Sequence, residues 1–121
     1  MNITINGNEY QLQWGMGAIE LYCEKMDCDI DGLSLIDNAP SQKESAKAIV
    51  TLVLSAIQNG CELAGNPFAV TYRQLQAAFD EMPQDEFKLI LDDFTKSKYL
   101  GKTILEHLSA SVVESDKKKE V

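Results

Sequence analysis

Apolar and polar side chains alternate at the start of the chain, where Ile3 and Ile5, then Tyr10, Leu12 and Trp14, are interleaved with Thr4, Glu9, Gln11 and Gln13. Asn6-Gly7 lies between the two runs, and both residues tolerate the positive φ that a tight turn demands. The pattern predicts a β-hairpin over Ile3 to Trp14. Two strands alone are marginal in water, so the apolar face needs helices or another subunit to cover it, which leaves a homo-oligomer open. The spacing then changes. Met16, Ile19, Cys23 and Met26 recur at three and four, with Leu21 and Tyr22 widening the stripe, which predicts an amphipathic helix over Met16 to Met26.

Asp29 to Ala39 contains Gly32 and several polar residues before Pro40 and reads as a loop, with Leu33-Ser34-Leu35-Ile36 as a short apolar stretch able to tuck into the core. Ser41-Gln42-Lys43-Glu44 has the S-x-x-E form of a capping box and predicts a helix start. That helix continues through Ala46, Ile49, Val50, Leu52, Val53, Leu54, Ala56 and Ile57 to Asn59-Gly60. Only Thr51 and Ser55 interrupt its apolar stretch, so it is expected to be the most buried element. Gly60 to Pro67 reads as a connection, and Thr71-Tyr72-Arg73-Gln74 as a second capping box opening a helix with Tyr72, Leu75, Phe79 and Met82 on one face. Pro83 separates it from a further helix around Phe87, Ile90, Leu91 and Phe94, with Asp85 and Glu86 in its first turn, Lys96 and Lys98 in its last, and Gly101 closing it. Thr103 to Glu106 repeats the capping signal ahead of Leu105, Leu108 and Val112. The expected fold is α+β and mainly α: an N-terminal β-hairpin followed by four or five packed helices. It forms a single globular domain over residues 1–108, and residues 109–121 are a partly flexible tail.

Composition supports one packed domain, since 32 of 121 residues are Leu, Ile, Val or Phe, above the roughly one-fifth level typical of disordered, highly charged chains. The net charge of −8 opposes contact with phosphate backbones and anionic lipid heads, so neither nucleic acid nor a membrane is an expected partner. No targeting signal is visible at the start, and the most apolar run, Ala48 to Ile57, is about half of the roughly 20 residues a bilayer span needs. Three cysteines (Cys23, Cys28 and Cys61) match neither a CxxC motif nor a disulfide framework, which suits a reducing cytoplasm.

The motifs that could carry chemistry are incomplete. Asp27-Cys28-Asp29-Ile30-Asp31-Gly32 matches the first half of a calcium loop, but the closing twelfth position is Asn38 and the eighth is Ser34, so an acidic solvated turn is expected and no metal is assigned. His107 is the sole histidine and is expected on a helix surface. Cys23 and Cys61 have no neighbouring histidine or basic cluster to activate a thiol, and packing is their expected role. The Gly60 to Gly65 stretch lacks the Lys-Ser/Thr of a phosphate loop, and Lys117-Lys118-Lys119 is balanced by Glu114, Asp116 and Glu120. No catalytic constellation and no cofactor motif emerges, and no enzyme activity is expected.

One feature is charged in a way that local helix energetics disfavour. Glu20, Glu24 and Asp27 recur on one helical face, and like charges at that spacing cost a few tenths of a kcal/mol each in an isolated helix. Residues 1–40 hold one basic and seven acidic side chains, so most of the net negative charge lies in the first third of the chain. The stripe is either a solubilising face or a docking face for a basic, helical partner, and Glu20, Glu24 and Asp27 are the candidate partner-binding residues.

The order of elements resembles that of the tail assembly chaperones of long-tailed bacteriophages and prophages. The resemblance runs through the hairpin of Ile3 to Trp14, the aromatic and acidic helix Met16 to Met26, the Asp31 to Leu35 loop, the long apolar helix, the Gly-Asn loop, Thr71-Tyr72-Arg73-Gln74-Leu75 and the helices beyond. It implies a cytoplasmic protein of the bacterial host that coats the long, helical tape measure protein before the tail tube forms around it. It also implies a frameshifted longer form that recruits tail tube subunits. The alternative is a small metal-binding or regulatory protein-interaction module built on the Asp27 to Gly32 turn.

Overall fold

The computed structural model describes residues 1–29 and 41–107. The chain is mainly helical behind an N-terminal antiparallel hairpin, as the pattern predicts. Strands β1 (Asn2–Ile5) and β2 (Asn8–Gln11) pair with Ile3 opposite Tyr10 and Ile5 opposite Asn8. Asn6 and Gly7 connect them at φ 52° and 78°, the pair of left-handed residues that lets a two-residue turn follow the strand twist. Ile3 and Ile5 point inward and are buried, as is Leu12 just beyond the hairpin.

Helix α1 (Met16–Met26) has the predicted bounds but a shifted face. Ala18, Ile19 and Tyr22 are its buried residues, whereas Met16 is 61% exposed. Small residues set that face, because Gly17 lies so close to Asn59 that a Cβ there would collide with the Asn59 side chain.

Helix α2 (Gln42–Ala64) is the central element. Ser41 Oγ accepts from the Glu44 N–H at 3.2 Å, the Ser half of the expected box. Val50, Val53, Leu54, Ala56, Ile57 and Cys61 pack with Ile3, Ile5 and Leu12 of the hairpin region and with Leu75 and Ile90. Ala48 and Leu52 serve a second cluster with Ile19, Tyr22, Phe94 and Ile104. One helix thus joins both halves of the core, and Val53, Ala56 and Ile57 are fully buried.

The expected helix end at Asn59-Gly60 is overturned, since α2 runs on to Ala64 and stops at Gly65, which takes φ 73°. Asn59 is buried and donates from Nδ2 to the Gln13 carbonyl at 3.0 Å, while the Gln13 N–H donates to the Ala56 carbonyl at 3.2 Å. Gly60 faces the backbone of Gln11, whose carbonyl oxygen lies 2.5 Å from where a Cβ would stand. The Asn-Gly pair that reads as a turn is therefore the seat of the hairpin on the helix, so Gly60 to Pro67 is a connection only beyond Ala64.

Helix α3 (Tyr72–Glu81) opens on the complete capping box expected: the Gln74 N–H donates to Thr71 Oγ1 at 3.1 Å and the Thr71 N–H to Gln74 Oε1 at 3.0 Å. Helix α4 (Gln84–Lys96) follows Pro83 and carries Asp85 and Glu86 in its first turn. Its buried residues are Ile90 and Phe94, with Phe87 and Leu91 half-buried. Lys98 is not in its last turn and Gly101 does not close it. Instead, Lys98–Tyr99 (β3) and Lys102–Thr103 (β4) form a second small hairpin turning at Leu100-Gly101, with φ 52° and 84°.

Thr103 Oγ1 then accepts from the Glu106 N–H at 3.2 Å, and residues 104–107 are helical. The apolar face expected there is displaced, because Ile104 is buried and Leu105 is 57% exposed. Leu108, Val112 and the tail 109–121, together with the loop stretch Leu33 to Ile36, lie outside the described residues.

Candidate functional site

The structure places Glu20 and Glu24 in α1 and Asp27 at its C-terminal end, and all three are exposed. Glu24 and Asp27 stand at the C-terminal end of the helix, where the carbonyl ends of the backbone dipoles already disfavour negative charge. Asp27 is itself the terminating residue, at φ 52°, and its N–H donates to the Cys23 carbonyl. Both the mutual repulsion of the acids and the helix dipole act against this arrangement.

Lys25 is the basic residue of the last turn, and it reaches across to α2. Its Nζ donates to Gln58 Oε1 at 2.6 Å, and Gln58 Nε2 donates to Glu62 Oε1 at 3.2 Å. Burial lowers the Lys25 ammonium below its ordinary value, against the opposing pull of Glu24 and Glu62. Lys25 therefore ties α1 to α2 and offsets Glu24 and Glu62, and Glu62 continues the acidic surface onto the central helix.

A groove of about 540 Å³ opens on another side of the molecule, between α2, α3 and the first turn of α4. Ala46, Ile49, Phe79 and Phe87 give it an apolar lining, and Arg73 and Asp80 supply charge. Phe79 and Phe87 meet edge to face at 5.6 Å between ring centres. Sequence periodicity assigns both rings to the core, whereas both are half-buried. Exposed Ala46 and Ala77, small residues where longer side chains would cover the rings, are the sequence signal of this groove.

The other chemistry-bearing residues have structural partners. His107 is half-buried rather than a free surface side chain: Nε2 lies 2.7 Å from the Tyr99 carbonyl oxygen, and its ring meets Tyr99 edge to face at 5.4 Å. It fastens the second hairpin to the helical segment that follows. Trp14, read as a hairpin residue, lies beyond β2, donates from Nε1 to Asp93 Oδ2 at 2.7 Å and packs against Phe94. Cys61 is buried in the core as expected, and Cys23 and Cys28 are half-buried at the end of α1.

Among the described residues no group of three His, Cys, Asp or Glu side chains could hold a metal ion. Asp27 and Asp29 of the partial calcium motif are exposed, and Ile30 to Gly32 and Asn38 lie outside the described residues. Among the described residues no helix is long and apolar enough to cross a membrane. Compared with protein-family models, curated proteins and solved structures, the chain matches none.

Proposed function

We propose that this chain is a tail assembly chaperone of a long-tailed phage or prophage, acting without catalysis in the bacterial cytoplasm by binding the tape measure protein in multiple copies. The observation that carries the reading is the order of elements quoted above, which over the described residues is a mainly helical domain following an N-terminal hairpin. The exposed acidic face of α1 supports it. The three carboxylates oppose one another, the helix dipole opposes Glu24 and Asp27 as well, and a basic helical client would relieve both costs. The contact is salt-sensitive and individually weak at each charge, which suits a chaperone that must leave its client when the tail tube closes.

Co-expression with the long open reading frame encoded beside it, followed by pull-down and measurement of the mass of the complex, tests the reading. Several copies of this chain on one long helical client are expected. Failure of any long helical partner to co-purify at low salt overturns the chaperone assignment.

A further inference from the structure

Cys23 and Cys28 are five residues apart, too far to touch on a continuing helix. The end of α1 changes that. Asp27 takes the left-handed conformation at φ 52°, and the N–H groups of both Asp27 and Cys28 turn back to the Cys23 carbonyl, the latter at 3.1 Å. This is the helix-terminating motif in which the first residue past the left-handed position folds back over the residue five before it, so that their side chains meet. In most proteins that contact is made by two apolar side chains. Here both positions are cysteine.

We propose that Cys23 and Cys28 form a dithiol modification site, closed to an intramolecular disulfide by a peroxide oxidant and reopened by thiols. Both side chains are half-buried, so a small oxidant reaches them, and both pack against the cluster that contains Tyr22 and Ile19. Both lie close to one point of the structure, because the Tyr22 phenol pKa is raised first by burial, then by Cys28 and Cys23. The third thiol, Cys61, belongs to the separate cluster beneath the hairpin. A disulfide requires Cα atoms within about 7 Å, a separation that the fold-back of this motif provides and a continuing helix does not.

The chemistry balances with hydrogen peroxide as the oxidant. One thiolate attacks an oxygen, the O–O bond breaks and, after protonation, water leaves, which gives a sulfenic acid. The second thiol attacks that sulfur, the S–S bond forms and a second water leaves. Two thiols lose two electrons and two protons, and the peroxide becomes two waters. Closure locks Asp27 inside the ring and fixes the exit of α1.

Tryptic mapping tests this directly, because Lys25 lies between the two cysteines and cleavage there puts them on separate peptides, residues 1–25 and 26–43, with Cys61 on a third, residues 48–73. The intact chain is treated with hydrogen peroxide, alkylated, run as a monomer on a non-reducing gel and digested. Expected is a linked 1–25/26–43 species about 2 Da lighter than the two reduced peptides together, Cys61 still alkylated, and full reversal by dithiothreitol. The Cys28→Ser variant loses the linked species and Cys61→Ser retains it. Alkylation of both Cys23 and Cys28 after oxidation, over-oxidation of each without linkage, or linkage only in dimers or through Cys61 overturns the proposal. Circular dichroism of each variant verifies that the fold is intact.

Discussion

The substitution Gly60→Ala sets two effects of known sign against each other. Gly60 is an interior residue of α2, where replacing Gly by Ala ordinarily stabilises a helix by about 1 kcal/mol. The structure puts the carbonyl oxygen of Gln11 2.5 Å and its carbon 3.5 Å from the new Cβ, so a backbone group rather than a movable side chain stands in the way. The strand must retreat from the helix, and overpacking of this kind costs about 1–3 kcal/mol. The retreat also stretches the Gln13 to Ala56 and Asn59 to Gln13 hydrogen bonds, each worth about 1 kcal/mol. The sum is a net destabilisation of roughly 1–3 kcal/mol. Urea denaturation followed by the single tryptophan and by helical circular dichroism measures it, and a fall in midpoint with unchanged slope is expected. A rise in stability by the full propensity gain would show that the hairpin does not rest on α2 at Gly60.

Two further perturbations probe the core and its ionisation. Val53→Asp places a charge at a fully buried position of the helix that joins both clusters, at a cost of several kcal/mol against a total stability of about 5–15; loss of the cooperative melt is expected, and a near wild-type melt would remove α2 from the centre of the fold. Tyr22 has its pKa raised chiefly by burial, so the folded state holds the phenolic proton more tightly than the unfolded state. The stability it contributes is complete below its ordinary pKa of 10.0 and declines as pH rises above it; the alkaline limb of the stability profile should flatten in Tyr22→Phe, and an unchanged limb would contradict the assignment.

How far the sequence foretold this structure depends on whether the deciding contacts were local. The Asn6-Gly7 turn, the Thr71/Gln74 capping box and the bounds of α1 follow from spacing within a few residues, and all are found. Asn59-Gly60 misleads because its role depends on Gln11 and Gln13, more than forty residues away in sequence. Lys98 and Gly101 mislead because a two-residue hairpin leaves almost no alternation to detect, and only Leu100-Gly101 at its turn marks it. The face of α1 shifts because Gly17 and Ala18, not its larger apolar residues alone, set the approach to α2. Helical periodicity aligns Glu20, Glu24 and Asp27 in the sequence, and the structure has Glu20 and Glu24 exposed on α1 and Asp27 exposed at its left-handed end. The open groove was not legible, because it is the absence of side-chain bulk at Ala46 and Ala77 that uncovers Phe79 and Phe87. The closeness of Cys23 and Cys28 was also hidden, as it follows from the backbone reversal at Asp27.

The central claim is that the acidic face of α1 holds a long helical client, and the measurement closest to it compares client affinity of the wild type with that of the triple variant Glu20→Lys, Glu24→Lys, Asp27→Lys across a salt series. The variant exchanges three like charges for three of the opposite sign, so their mutual repulsion stays of similar size, while lysines at positions 24 and 27 complement the helix dipole, and its stability should lie within a few tenths of a kcal/mol of the wild type. Exposed charge pairs contribute about 0.2–1 kcal/mol each, so at low salt the loss of affinity should reach roughly 1–2 kcal/mol, about five- to thirtyfold, and shrink as salt screens the contact. Client binding by the folded triple variant that is indistinguishable from wild type at every salt concentration would contradict the claim.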